Sequence, residues 1–110
     1  MKIENKENCV VIRNTESNLA SFVEKLSQEY NKVVEHNLVL DLSENETITL
    51  ESLKLFTDLS KTHKKAKKSF VIVAKNINYN KIPVKMTVVP SLQEAQDIIE
   101  IEAIERDLGF

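Results

Sequence analysis

Two periodicities alternate along this chain. Short apolar runs at Ile3 to Lys6, Cys9 to Arg13, Leu38 to Leu42, Phe70 to Ala74 and Met86 to Val89 have the length and the β-branched content of strands. Other segments carry their apolar residues at helical spacing. From Ser17 to Asn31 the positions Leu19, Phe22, Val23, Leu26 and Tyr30 fall on one face of a 3.6-residue period, with Thr15 or Ser17 placed to cap the start. A second helix begins near Thr49, an N-cap, buries Leu53, Phe56, Leu59 and Leu50, and ends in a run of lysines. The last helix opens on Ser91-Leu92-Gln93-Glu94, a capping box in which the serine and the glutamate each satisfy a backbone N–H.

The order β-β-α-β-α-β-β-α predicts a single α/β domain over residues 1–110, with three helices and a mixed, mostly parallel sheet of about five strands. The polar Glu7-Asn8 pair turns the opening hairpin, which supplies an antiparallel edge. Leu38 to Leu42 is almost continuously apolar and so belongs in the middle of the sheet. Between the fourth and fifth strands, Asn76 to Lys85 is irregular or a single turn, because Pro83 lacks the N–H that a ladder needs.

Composition narrows the function classes more than it selects one. With 42% apolar and 29% charged residues the chain has the balance of an ordinary globular protein, and its net charge of −2 gives no overall cationic field for nucleic acid or membrane. No apolar stretch approaches membrane-spanning length, and Met1 to Asn8 is alternating and charged rather than a leader, so the expected location is the cytoplasm. The single cysteine, Cys9, cannot form an internal disulfide and reads as a small strand residue. Gly109 is the only glycine, which excludes phosphate-cradling loops of the P-loop or dinucleotide kind. Cys9 and His63 lie 54 residues apart with no local signature of a nucleophile and its base. The expectation is a protein without enzymatic activity, cofactor or metal. His36 reads as a surface residue, and His63, beside lysines near a helix end, as a cation favoured by the helix dipole.

The stretch Asn37-Leu38-Val39-Leu40-Asp41-Leu42-Ser43 leads through a polar loop into the second helix, and ligands of open α/β sheets bind at such strand ends. Together with the element order, this segment resembles the STAS domains, the fold of bacterial anti-sigma-factor antagonists. In that family a loop of the form Asp-Ser-Ser/Thr-Gly opens the helix, and a serine or threonine there is phosphorylated to switch partner binding. Counted from the shared Asp-Leu-Ser, Ile48 falls on the family's apolar loop position, Thr49 on its aspartate and Leu50 on its first serine. Glu51 then stands at the phosphoacceptor, Ser52 at the glycine and Leu53 at the following leucine. A carboxylate cannot accept phosphate from a serine kinase, so the resemblance implies a partner-binding surface without the family's switch. Glu51 reads either as a fixed mimic of the phosphorylated state or as an ordinary acidic residue of a first helical turn. The implied surface comprises Ser43, Thr47, Thr49, Glu51, Ser52 and Lys54, with Ser52, Thr49 and Thr47 as the remaining candidate acceptors.

The tail from Thr87 to Phe110, with Val88-Val89-Pro90-Ser91-Leu92-Gln93-Glu94-Ala95, is also similar to a group of short bacterial proteins that often carry the name ribonuclease Z. The enzyme of that name needs two zinc ions held by a His-x-His-x-Asp-His motif and further histidines. His36 and His63 are the only histidines here and neither begins that motif, so no catalytic residue is carried over.

Charge is unevenly placed. Lys61, Lys64, Lys65, Lys67 and Lys68 put five cations into eight residues, read either as a solvated helix end or as an electrostatic, weakly selective RNA contact. The last twenty residues oppose six acids to Arg106 alone. Leu92, Ala95, Ile99 and Ala103 form one stripe there, and Ile98, Ile101, Ile104, Leu108 and Phe110 are a surplus, read either as core or as a surface for a partner or a homodimer. The expected partner is a protein, and the alternative is an RNA-associated accessory role linked to RNA processing.

Overall fold

The computed structural model describes residues 1–45 and 48–109. Along the chain run β1 (Lys2–Asn5), β2 (Val10–Arg13), α1 (Leu19–Glu29), β3 (Leu38–Asp41), α2 (Leu50–Leu53), α3 (Thr57–Lys65), β4 (Phe70–Val73), β5 (Thr87–Val89) and α4 (Leu92–Asp107). Short 3-10 turns occupy Tyr30–Lys32, Lys54–Phe56 and Tyr79–Lys81. The strands form one mixed sheet in the order β1-β2-β3-β4-β5, with β1 antiparallel to β2 and the other three pairings parallel. β3 is therefore central, and among the described residues no helix is long and apolar enough to cross a membrane.

Side chains alternate across a strand, so the three central strands, apolar except for Arg13 and Asp41 at the ends of β2 and β3, furnish two cores. Val10, Ile12, Leu38, Leu40, Phe70 and Ile72 face α1, α2 and α3, where Phe22, Leu26, Leu53 and Phe56 are buried against them. The Phe22 and Phe56 rings meet there at 6.1 Å in a tilted arrangement. Cys9, Val11, Val39, Val71 and Val73 point the other way, onto Ala95 and Ile99 of α4. Parallel strands laid down in sequential order by crossovers of one hand place their connecting helices on one face. The opposite face is left for the only helix that follows the last strand, α4.

Several local expectations are corrected. Neither Thr15 nor Ser17 caps α1: Thr15 Oγ1 accepts a hydrogen bond from the Met1 amino group, and Asn18 Oδ1 accepts from the N–H groups of Ala20 (2.7 Å) and Ser21 (3.4 Å). The predicted second helix is drawn tighter at Lys54–Phe56, where the 3-10 repeat aligns Leu53 with Phe56 so that both point into the core. At α4 only half of the capping box forms. Ser91 Oγ accepts from Glu94 N–H at 3.2 Å, while the Glu94 carboxylate accepts from the Ser91 hydroxyl at 2.9 Å instead of from its backbone N–H.

Candidate functional site

The carboxyl ends of β2 and β3 carry a polar network that fixes the loop after β3. Asp41, almost fully buried, accepts from Ser43 N–H through Oδ1 at 2.9 Å and from Arg13 Nε through Oδ2 at 3.4 Å. Next to it, buried Asn14 donates through Nδ2 to Asn45 Oδ1 at 3.0 Å and to the Glu16 carbonyl at 3.2 Å, and accepts from Glu16 N–H at 2.8 Å. Neither side chain would be tolerated there without partners, since an unpaired buried polar group costs about 1–3 kcal/mol. Asp41 thus acts on the loop as an Asx-turn former and ion-pair acceptor, and Asn14 ties the β2 exit to Asn45.

The sequence-predicted loop residues occupy different roles around this network. Ser43 is half-buried and offers its N–H to Asp41. Thr47 lies outside the described residues. Thr49 is the N-cap of α2, its Oγ1 accepting from Ser52 N–H at 3.1 Å and lying 3.0 Å from Ser52 Oγ. Both described hydroxyls that could accept phosphate are therefore engaged in the cap. Glu51 is strongly exposed and pairs with Lys54 at 3.1 Å on the outside of the same turn.

Sequence reasoning missed the apolar part of this surface. Ser17, Asn18, Leu19 and Ala20 from the α1 entry meet Asn45, Ile48, Ser52 and Leu55 to line a shallow groove beside the loop. Leu55 is 44% exposed there, because the 3-10 turn that buries Leu53 and Phe56 turns Lys54 and Leu55 between them outward. Glu16, near the mouth, is paired with Lys25, whose hydrogen bond holds the carboxyl below its usual range. The signal in the sequence was the pair Arg13-Asn14, which ends an apolar run with polar residues just as Asp41 ends its neighbour.

The lysine run does not act as one patch. Lys61, Lys64 and Lys65 line a groove with Val84 and Lys85. Lys64 Nζ donates to the Lys85 carbonyl at 2.5 Å and lies 3.4 Å from Thr87 Oγ1; burial lowers its pKa, with nearby Glu102 acting in the opposite direction. Lys67 and Lys68 serve the helix end instead. Lys67 has φ +64°, its N–H donates to the Lys64 carbonyl at 2.9 Å, and Lys68 N–H donates to the His63 carbonyl at 3.3 Å, the bond pattern of a Schellman motif.

His63 is not a surface cation, which corrects the reading from its lysine neighbours. The ring is fully buried, with Nε2 donating to the His36 carbonyl at 2.7 Å and Nδ1 accepting from Tyr30 Oη–H at 2.7 Å. Its edge-on contacts with Tyr30 and Phe70 have centroid distances of 5.6 and 5.9 Å. Burial lowers the imidazole pKa, against the raising effect of the His36 carbonyl, and Lys68 lowers it further. The neutral ring is thus a core bracket between α1, α3 and β3. His36 itself is exposed. Cys9 is in the other core, across the sheet from His63, with burial pushing its thiol pKa up. Among the described residues no three His, Cys, Asp or Glu side chains come together as a metal site, and every buried side-chain polar atom has a partner.

These elements define a five-stranded mixed α/β protein with a polar loop and beside it a small groove of mixed polar and apolar lining at the carboxyl end of its parallel strands. No family model matches the chain, and no curated protein matches it significantly.

Proposed function

We propose that the protein is a STAS-like interaction or regulatory module without enzymatic activity, acting in the cytoplasm. It would bind a protein partner at the loop after β3, the start of α2 and the groove beside them. The observation that carries this reading is Leu55, an exposed aliphatic side chain beside the loop that Asp41 and Asn14 fix through Ser43 N–H and Asn45 Oδ1. Such a surface offers shape and apolar contact but no reacting group. Glu51 keeps a negative charge at the family's phosphoacceptor position, so binding competence requires no kinase.

The experiment is quantitative affinity capture from the native host with the natural chain, Leu55→Asp and Lys61→Glu/Lys65→Glu as baits. A protein retained by the natural chain and the lysine variant but lost with Leu55→Asp supports the surface. Retention unchanged by Leu55→Asp, or no protein enriched at all, rejects it. Mass spectrometry of the same material reads the loop directly, and substantial phosphate on Thr47, Thr49 or Ser52 would restore the switch.

A second reading, an RNA-associated accessory protein, is favoured by the convergence of Lys61, Lys64 and Lys65 with Lys85. No aromatic side chain lines that groove to stack a base, so its RNA affinity would come from counterion release and fall steeply with salt.

A further inference from the structure

The lysine groove and the outer face of α4 are dominated by opposite charges, each exposes aliphatic surface, and they belong to different sides of the sheet. On the α3 side, Val84 is completely exposed between Lys61, Lys65 and Lys85. On α4, Ile101, Ile104 and Leu108 are 55%, 59% and 66% exposed. Their spacing of three and four residues places them in one stripe about 10 Å long. Asp97 and Glu105 flank that stripe, four residues before and after Ile101. Among the described residues, neither these two acids nor Lys61, Lys65 or Lys85 makes an ion pair within the chain.

We infer that the lysine groove receives the α4 stripe of a second copy of this chain, in a head-to-tail contact. Within one molecule the two surfaces are held apart, since α3 packs on one face of the sheet and α4 on the other. Pairing α4 with α4 of another copy would also cover the stripe, but would bring the exposed Asp97 and Glu105 of each helix against those of the other, with Arg106 held at the sheet by Asn37 and Ser69 and so unable to offset them. The groove offsets that repulsion: against one acid of its own, Asp58, it sets around an aliphatic side chain the ammonium groups of Lys61, Lys65 and Lys85, none in an ion pair among the described residues. Nucleic acid satisfies the charge but leaves Val84 and the α4 stripe uncovered. This contact does not involve the loop after β3, so it stands or falls independently of the proposed partner surface.

Sedimentation equilibrium of the full chain over a concentration series tests the contact. At low salt the weight-average mass should climb above the monomer's 12.6 kDa, and the association constant should drop about tenfold or more near 0.5 M salt. Lys61→Glu/Lys65→Glu/Lys85→Glu destroys the groove and keeps the stripe; Ile101→Ser/Ile104→Ser/Leu108→Ser does the reverse. Both sets replace exposed side chains, and circular dichroism verifies their fold. Each variant alone should remain monomeric, whereas an equimolar mixture should form a dimer of twice the chain mass and nothing larger, because only one productive contact remains. The inference is overturned by a natural chain that stays monomeric at low salt, by association that survives loss of the groove, or by a mixture that fails to pair. Tight binding of an oligouridylate at physiological salt, abolished by the groove variant, would assign the groove to RNA and likewise overturn it.

Discussion

Acidification should weaken this protein through one residue, His63. In the unfolded chain its imidazole titrates near pH 6.5. In the native state burial holds the pKa lower, and the two hydrogen bonds specify the neutral tautomer with the proton on Nε2. Between the native pKa and about pH 6.5 the unfolded state binds the extra proton, so stability rises with pH across that window. It is fully present above about pH 6.5 and is lost as the pH falls toward the native pKa. One proton sets a ceiling of about 1.4 kcal/mol per pH unit on the slope. Protonation also removes the lone pair that accepts the Tyr30 hydroxyl, so this hydroxyl must turn its proton away and the charged ring, out of water, keeps the bond from Nε2–H to the His36 carbonyl. Urea unfolding of the natural chain and of His63→Leu, measured from pH 8 to pH 5, separates this contribution from the rest. At pH 8 the variant should be less stable by about 1–3 kcal/mol, having orphaned the His36 carbonyl and the Tyr30 hydroxyl. Toward pH 5 the difference should shrink, because only the natural chain carries the histidine penalty. A difference that is constant with pH would refute the argument. So would an NMR titration that places the native His63 pKa at or above 6.5.

Three further substitutions test the local devices that position the surfaces. Lys67→Gly should stabilise the protein by about 1 kcal/mol in urea unfolding, since glycine takes the left-handed φ of +64° without the Cβ penalty and the two Schellman bonds use only backbone atoms. Thr49→Ala should cost about 1 kcal/mol through loss of the α2 cap, while Ser52→Ala, whose hydroxyl meets only Thr49, should cost less; the same unfolding assay compares them. Arg106→Met keeps the side-chain bulk but removes the donor to Asn37 and Ser69, and should lower stability by about 1–3 kcal/mol with hydrogen exchange rising first in the last turns of α4.

Sheet and helices were legible in the sequence wherever one periodicity dominated. β4 is apolar at every position and β3 at every position but Asp41 because both faces are covered, and α1 shows its buried face because its outward residues are mostly polar. The misreadings share a cause: local neighbours spoke for a contact made far along the chain. His63 sits among lysines, yet its environment comes from Tyr30 and His36, both distant in sequence, and from Phe70 in the next strand. Thr15 has cap chemistry but is bound to the first residue of β1's approach, leaving Asn18 to cap α1. Of the candidate surface, Thr49 followed from helix-cap rules, while Glu51 and Lys54 entered through the resemblance of the loop. Leu55 falls off the buried face of Leu50, Leu53, Phe56 and Leu59 in a regular helix as well; what helical spacing does not show is the groove beside it, which is completed by Ser17 to Ala20 and Asn45 from elsewhere in the chain.

The orientation of α4 shows why its outward stripe is built in rather than left over. Its first half is anchored by apolar contacts, with Ala95 and Ile99 fully buried against Val11, Val39, Val71 and Val73. Its second half is anchored by polar ones. Asn37 Oδ1 accepts from Ser69 N–H at 2.9 Å and from Arg106 Nη2 at 3.3 Å, while Ser69 Oγ donates to Glu102 at 2.5 Å and accepts from Arg106 at 3.3 Å. Glu102 and Arg106 are one helical turn apart, on the same side as Ile99, so the face turned toward the sheet changes from apolar to polar midway along the helix. Turning α4 to bury Ile101, Ile104 and Leu108 would expose Ala95 and Ile99 and strip buried Ser69 of two partners. The apolar gain of about 1.5–3 kcal/mol per side chain would be offset by the apolar area lost and by the unpaired groups at the sheet edge. The helix is held with its aliphatic stripe in water, and that persistent cost to solubility gives the stripe its meaning as a contact surface.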